Sequence, residues 1–303
     1  MSVGRQQIGK VVTAYAYIAP FFLLFLLFGL FPILYSFFLS FTWWKGTGRQ
    51  IFVAFDNYKA LFRDATFFKA LFNTAYVWIF AHLIILPGGF LVAYLLATEY
   101  VKRKNLFQAL FFTPMVTSTI AVSLVFSSLF GEQFGVLNWF LQQLGFQPVP
   151  WFHGDGRWIK PVIILLFSWR WMGWNMVIYF AGMQGIDQEL YECAAVEGAN
   201  KAQILGRITV PLMKPVILYT LVLSFIGGMQ IFEEPFILTG SSYGYIGGTN
   251  QAGLTLATQL YEIGFRTGNM GTASALAYTI MAIIAVLSAF SIRMFSRERR
   301  AAA

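Results

Sequence analysis

Charged side chains fall along this chain in a way that leaves six long apolar runs, residues 11–44, 70–98, 105–131, 161–186 (interrupted by Arg170), 215–232 and 267–292. An α-helix rises about 1.5 Å per residue, so about 20 apolar residues cross the roughly 30 Å hydrocarbon layer of a bilayer. The pattern therefore predicts an all-α membrane protein with six transmembrane helices. They are expected over about 11–40, 72–98, 106–131, 161–182, 213–234 and 271–295, within one domain spanning 1–303. Two further charge-free runs are too polar to span. Residues 133–154 hold Asn138, Gln142, Gln143, Gln147 and two prolines, and 235–261 are rich in Gly, Ser and Thr. Both read as outer loops, the first including an interfacial helix with Trp139 and Trp151 at headgroup depth. The first run follows Arg5 and Lys10 as a signal peptide would. Its length of 34 residues exceeds the 7–15 of a removable apolar region, so it is expected to remain as an anchor.

Composition supports a bilayer as the solvent: 58% of the residues are hydrophobic, 18% aromatic and only 11% charged. The net charge of +8 does not imply nucleic acid, because basic loops beside apolar spans serve lipid contact and topology. With both termini on one side, the loops of that side carry 12 Lys and Arg in 55 residues, against 8 in 88 on the other. The positive-inside rule then places both termini in the cytoplasm. Cys193 is the single cysteine, which removes intramolecular disulfides and cysteine-built metal clusters from consideration. His82 in the second span reads as a satisfied core histidine, His153 as an exposed loop residue, and the two with one cysteine form no metal site.

The loop between the fourth and fifth spans, 185–215, has a complete helix grammar. Asp187 suits an N-cap and Gly198 a C-terminal stop. Asn200 with Gln203 resembles a capping box for a second helix that Pro211 ends, and Pro215 suits the first turn of the fifth span. Asp187, Glu189, Glu192 and Glu197 make the first of these helices acidic on an otherwise basic membrane face. Such a helix is either a solvated connector or a docking surface for a basic partner.

Glu192-Cys-Ala-Ala-Val-Glu-Gly-Ala199, followed by Arg207-Ile-Thr-Val-Pro211 and Pro215, resembles the EAA loop of binding-protein-dependent ABC importer permeases. The resemblance extends along most of the chain in the manner of the maltose-type sugar branch. It includes Ala70-Leu-Phe-Asn-Thr74, Phe111-Phe-Thr-Pro114, Leu260-Tyr-Glu-Ile-Gly-Phe265 and Met270-Gly-Thr-Ala-Ser-Ala-Leu-Ala277. Cys193 stands for an alanine, Glu197 for an aspartate and Leu205 for an aromatic.

The resemblance implies a type I importer fold in the bacterial inner membrane. Its coupling residues Glu192, Ala194, Glu197, Gly198, Ala199, Arg207 and Pro211 are expected to dock in a cleft of a separate ATPase. ATP and Mg are expected on that partner, since no lysine here is followed by Ser or Thr as a Walker A loop requires. The expected assembly adds two ATPase subunits, an extracytoplasmic solute-binding protein and a second permease, with a homodimer as the other arrangement.

The resemblance also sets the family's sugar-contacting stripe on Phe167, Trp171 and Trp174, at i, i+4 and i+7, and on Ser224, Gly227, Gly228 and Ile231 of the fifth span. Glycines and isoleucine replace the aromatic and amides of the maltose-type permease there, so the stacking wall carries over and the polar selectivity does not. Arg170 lies about 14 Å into its span and needs a partner, for which Glu233 and Glu234 are candidates. The pairing is either a structural ion pair at the seam between subunits or part of a hydrated gate or a polar grip on the solute. A polyol or glycerophosphodiester permease is the nearest alternative function. An ion-coupled carrier lacks support, because no inverted repeat or intramembrane acid pattern is visible.

Overall fold

The computed structural model describes residues 2–98, 101–240 and 246–301. Residues 1, 99–100, 241–245 and 302–303, which fall in four of the loop and terminal segments counted above, lie outside them. The described chain is helical apart from one two-stranded hairpin, and it forms two compact units.

The first unit comprises residues 1–64 and 263–279. Its leading helix runs as α1 (Ser2–Phe25), a π-turn (Leu26–Leu30) and α2 (Phe31–Leu39), and the apolar part, Tyr15–Leu39, is long enough to span. Antiparallel strands β1 (Thr42–Trp43) and β2 (Ile51–Phe52) follow, then α3 (Asp56–Leu61). Asn57 organises this unit. Its amide donates to the carbonyls of Ser40 (2.9 Å) and Thr42 (2.8 Å), and its oxygen accepts from the Thr272 hydroxyl at 3.2 Å. At Gly271 an added Cβ would lie 1.9 Å from the Thr42 carbonyl, so only glycine lets α14 (Met270–Ala301) begin against the hairpin.

The second unit, 65–262 and 280–303, is built on α4 (Ala65–Ala97) packed along α8 (Ile159–Gln184). Gly89 of α4 sits where a Cβ would lie 3.1 Å from the Met172 carbonyl and the Met176 nitrogen. Small residues at such crossings let helix backbones approach in lipid, where no hydrophobic force drives helices together. A core of Val77, Ala81, Ile85, Ile159, Ile163 and Leu166 fills one half of the contact, and Ala93, Leu96, Met176, Tyr179 and Met213 fill the other.

Three expectations are revised. The third span is not one straight helix: α5 (Lys104–Val116) and α6 (Thr119–Leu129) meet at 91°. Thr117 is extended, Ser118 caps α6, and Pro114 has already removed one donor from the ladder, so the helix restarts rather than continues. Among the described residues five helices, or six counting this bent pair as one span, are long and apolar enough to cross. Pro211 does not end a helix. After the four residues of α10 (Lys201–Ile204), a π-turn over Leu205–Thr209 leads into α11 (Val210–Met229), with Pro211 in its first turn and Pro215 inside it. Its wider winding adjoins the ring that a regular helix would bring against the carbonyl four residues earlier. Finally, 235–261 is not plain loop, for α12 (Glu233–Gly240) runs into it and α13 (Leu256–Tyr261) lies within it.

Candidate functional site

The acidic loop is a paired-helix element with every cap formed. In α9 (Gln188–Val196) the Asp187 carboxylate accepts from the Glu189 amide at 3.1 Å. At the other end Gly198 has φ +82°, and the Gly198 and Ala199 amides donate to the Ala195 and Ala194 carbonyls. That is the doubly bonded C-terminal cap that glycine's left-handed conformation permits. The Asn200–Gln203 capping box is present in both directions, at 2.9 and 2.8 Å. Asp187, Glu189, Glu192 and Glu197 are all exposed, as are Cys193, Arg207 and Pro211, while Ala194 and Ala199 are half-buried. Glu192 accepts from Gln188 at 3.2 Å on its own helix. Tyr191 turns inward to Thr209 at 3.3 Å and ties α9 to the π-turn. At the root of this element a cavity of about 690 Å³ opens, lined by Tyr94, Lys104, Phe180, Gln184, Tyr191 and Ile204.

Midway along α8 a second, narrow cleft of about 40 Å³ gathers Phe167, Trp171 and Trp174 with Ser224, Gly227 and Gly228 of α11. The two stripes named from the sequence thus face each other, Ile231 excepted. Ile231 is buried in the core with Val77 and Ile163, and its carbonyl accepts from Thr255 at 2.8 Å. Position 231 lies past the end of α11, at a backbone break, so a helical stripe cannot be extended to it.

The second span supplies a wall that sequence reading missed. Trp78 packs on Phe225 with ring centres 4.6 Å apart, and its indole donates to the Ser224 carbonyl at 2.9 Å. A Cβ on Gly228 would fall 1.9 Å from Trp78, so that glycine is the seat for the indole, whereas Gly227 has nothing within 4 Å and stays open. His82 also lines the cleft. Its Nδ1 is 2.8 Å from the Trp78 carbonyl, a partner that only accepts, so Nδ1 carries a proton, and in a neutral ring Nε2 is left as an acceptor. The core-histidine reading is right about satisfaction and misses the location. The available signal was Trp78 and His82 at i, i+4 in a span otherwise poor in polar groups.

Arg170 finds its partner within the chain. Its guanidinium meets Glu234 at 2.8 Å, with the two side chains 7% and 6% exposed, while Glu233 is exposed. The pair joins α12 to α8 within this chain.

The sequence matches the family model described as the binding-protein-dependent transport system inner membrane component over residues 85–300. It is 37% identical over 287 residues to the arabinooligosaccharides transport system permease protein AraP of Bacillus subtilis (strain 168), covering 94% of this chain and 89% of that protein. The chain belongs to this family. It is also similar to the lactose transport system permease protein LacF of Rhizobium radiobacter, 34% identical with 95% of each chain covered. A chain of a bacterial ABC transporter involved in the import of the acidic polysaccharide alginate has the same fold, with a TM-score of 0.83 over 96% of this chain and 98% of its own, at 24% identity. The protein is accordingly a multi-pass inner-membrane transport subunit rather than an enzyme, and ATP hydrolysis belongs to a separate subunit.

Proposed function

We propose that this chain is the permease half-site of an ATP-driven importer that moves a carbohydrate delivered by an extracytoplasmic binding protein. The observation that carries the sugar class is the facing of Phe167, Trp171 and Trp174 against Ser224 and Gly227, supplemented by the His82 acceptor. Sugars present apolar ring faces for aromatic stacking and hydroxyls for hydrogen bonds, and this cleft pairs the two kinds of surface. Trp171 adds a buried indole N–H with no partner among the described residues, a donor whose desolvation costs about 1–3 kcal/mol until something accepts from it. The names of the relatives, for arabinooligosaccharides and lactose, point to the same class.

The cleft holds about 40 Å³. Small-molecule sites usually measure about 300–1,000 Å³, so in this reading transport requires the walls to part. The acidic face of α9 supplies the handle: Glu192 and Glu197 would meet basic side chains in a cleft of the ATPase, where ATP and Mg bind. Closure of two ATPases would then rock this chain against a second permease. The loop charge bias supports termini in the cytoplasm. Glu233 and Glu234 are outside the sugar path in this reading, and Arg170 contributes by holding α12. Uptake of radiolabelled oligosaccharides by the assembled importer is the test. Trp171→Ala or Trp174→Ala is expected to raise the KM for uptake about tenfold, the loss of roughly one stacked contact of 0.5–1.5 kcal/mol together with its buried area. Unchanged uptake at intact expression would remove the stacking wall.

A further inference from the structure

The connection between α6 and α8 contains a short helix, α7 (Val136–Gln143), with two unlike faces. The inward face is sewn down by Asn138, which is 1% exposed. Its amide nitrogen donates to the carbonyls of Glu132 (3.0 Å) and Val149 (2.9 Å), and its oxygen accepts from the Val149 amide and the Trp151 indole, both at 3.0 Å. Glu132 fastens the next turn of chain by accepting from the Phe152 and His153 amides at 3.2 and 2.8 Å. Phe152 is buried, and Trp151 lies edge-on to Phe130 and to Trp158, one residue before α8. Trp151 thus ties α7 to the segment that leads into α8.

The outward face is apolar. Val136, Phe140 and Leu144 follow at i, i+4 and i+8 with Trp139 beside them, and Phe134 and Phe146 flank the helix; each is more than half exposed, Phe134 by 94%. No charged residue occurs from Gln133 to Gly154. A surface that docks a soluble protein reversibly surrounds its apolar centre with a polar, charged rim. This patch has no charged rim, its polar neighbours being the exposed Gln133, Gln142, Gln143 and Gln147, and it lies between α6, which with α5 makes an apolar bent pair, and α8, which is long and apolar enough to cross a membrane. Aromatic side chains on an uncharged short helix suit the boundary between acyl chains and headgroups.

We infer that α7 is a membrane foot. Its Phe134–Val136–Trp139–Phe140–Leu144–Phe146 face inserts into the leaflet boundary on the side opposite the acidic loop. Through Asn138, Trp151 and Glu132 it fixes the start of α8 relative to the bilayer. Because α8 carries Phe167, Trp171 and Arg170, the lipid surface is the reference against which that end of the span is held. The inference is independent of which solute the importer carries.

A label placed on α7 of the assembled importer in lipid nanodiscs decides the matter. In a Cys193→Ala background, Trp139→Cys and, separately, Phe140→Cys carry an environment-sensitive fluorophore, with Gln142→Cys as the water-exposed control on the other flank. Brominated lipids are expected to quench both labels several-fold more than aqueous iodide does, and the control is expected to show the reverse. Strong iodide quenching at 139 and 140 overturns the proposal. Weak quenching by both agents also overturns it, because the face is then covered by protein, either the second permease or, if protection appears only on its addition, the binding protein. Using two labelled positions keeps the result readable if one variant fails to assemble.

Discussion

Single side chains in this protein are decided by what lies beside them in a medium without water. Arg170 illustrates the point: nine residues into an apolar run it demanded an acid, and the fold supplies Glu234 at 2.8 Å. Removing one member of a buried pair leaves an uncompensated charge, which costs about 3–5 kcal/mol, whereas replacing both with apolar residues is often neutral. Glu234→Ala is therefore expected to lower the thermal unfolding midpoint of the importer in nanodiscs markedly, and Arg170→Met with Glu234→Leu to restore most of it. A double variant as unstable as the single one would show that the charges do more than satisfy each other. The two glycines of α11 give a second contrast. Gly228→Ala must displace Trp78, and is expected to cost about 1–3 kcal/mol as overpacking does, while Gly227→Ala faces open space and is expected to leave stability unchanged. Any inward effect of Gly227→Ala is expected in uptake, because its methyl enters the cleft. Melting curves and uptake assays on the pair separate packing from passage.

At the scale of elements, the acidic paired helix was readable almost to the residue, because caps are local. Asp187, Gly198 and the Asn200–Gln203 box each act within four residues, and each occupies the role its side chain or backbone suits. Breaks inside the spans were less readable. Pro114 and Pro211 look alike in sequence, yet one precedes a 91° bend and the other enters α11 after a π-turn. Bilayer helices tolerate proline when neighbours satisfy the freed groups, so the local residue does not settle the outcome. Gly198→Asp is expected to strain the left-handed turn and, with the added acid, to abolish co-purification of the ATPase while α4 and α8 stay folded. Glu192→Lys is expected to do the same by reversing the charge at the dock. Wild-type ATPase recovery with either variant would refute the coupling role.

For the whole molecule the orientation in the membrane is the property on which the transport direction depends. Cys193 is the sole cysteine and is exposed beside Glu192 on α9. A membrane-impermeant maleimide is expected to label it in inside-out vesicles, not in right-side-out ones, and ATPase binding is expected to protect it. Labelling from the outer side would invert the assigned topology.

The apolar runs, the bilayer as solvent and the cap grammar of 185–215 were legible in the sequence alone, since run length, loop charge and caps are all near-neighbour quantities. So was the aromatic stripe of Phe167, Trp171 and Trp174, which the family resemblance picks out and the helical period places on one face. What only the tertiary structure decided is which surfaces meet. Trp78 and His82 come to the cleft from another span, Ile231 leaves it because α11 has already ended, and Glu234 rather than Glu233 reaches Arg170. The Trp78 and Glu234 placements depend on contacts between residues 146 and 64 positions apart in the chain, where helix register and close glycine crossings choose the neighbour and local pattern carries no information about the choice.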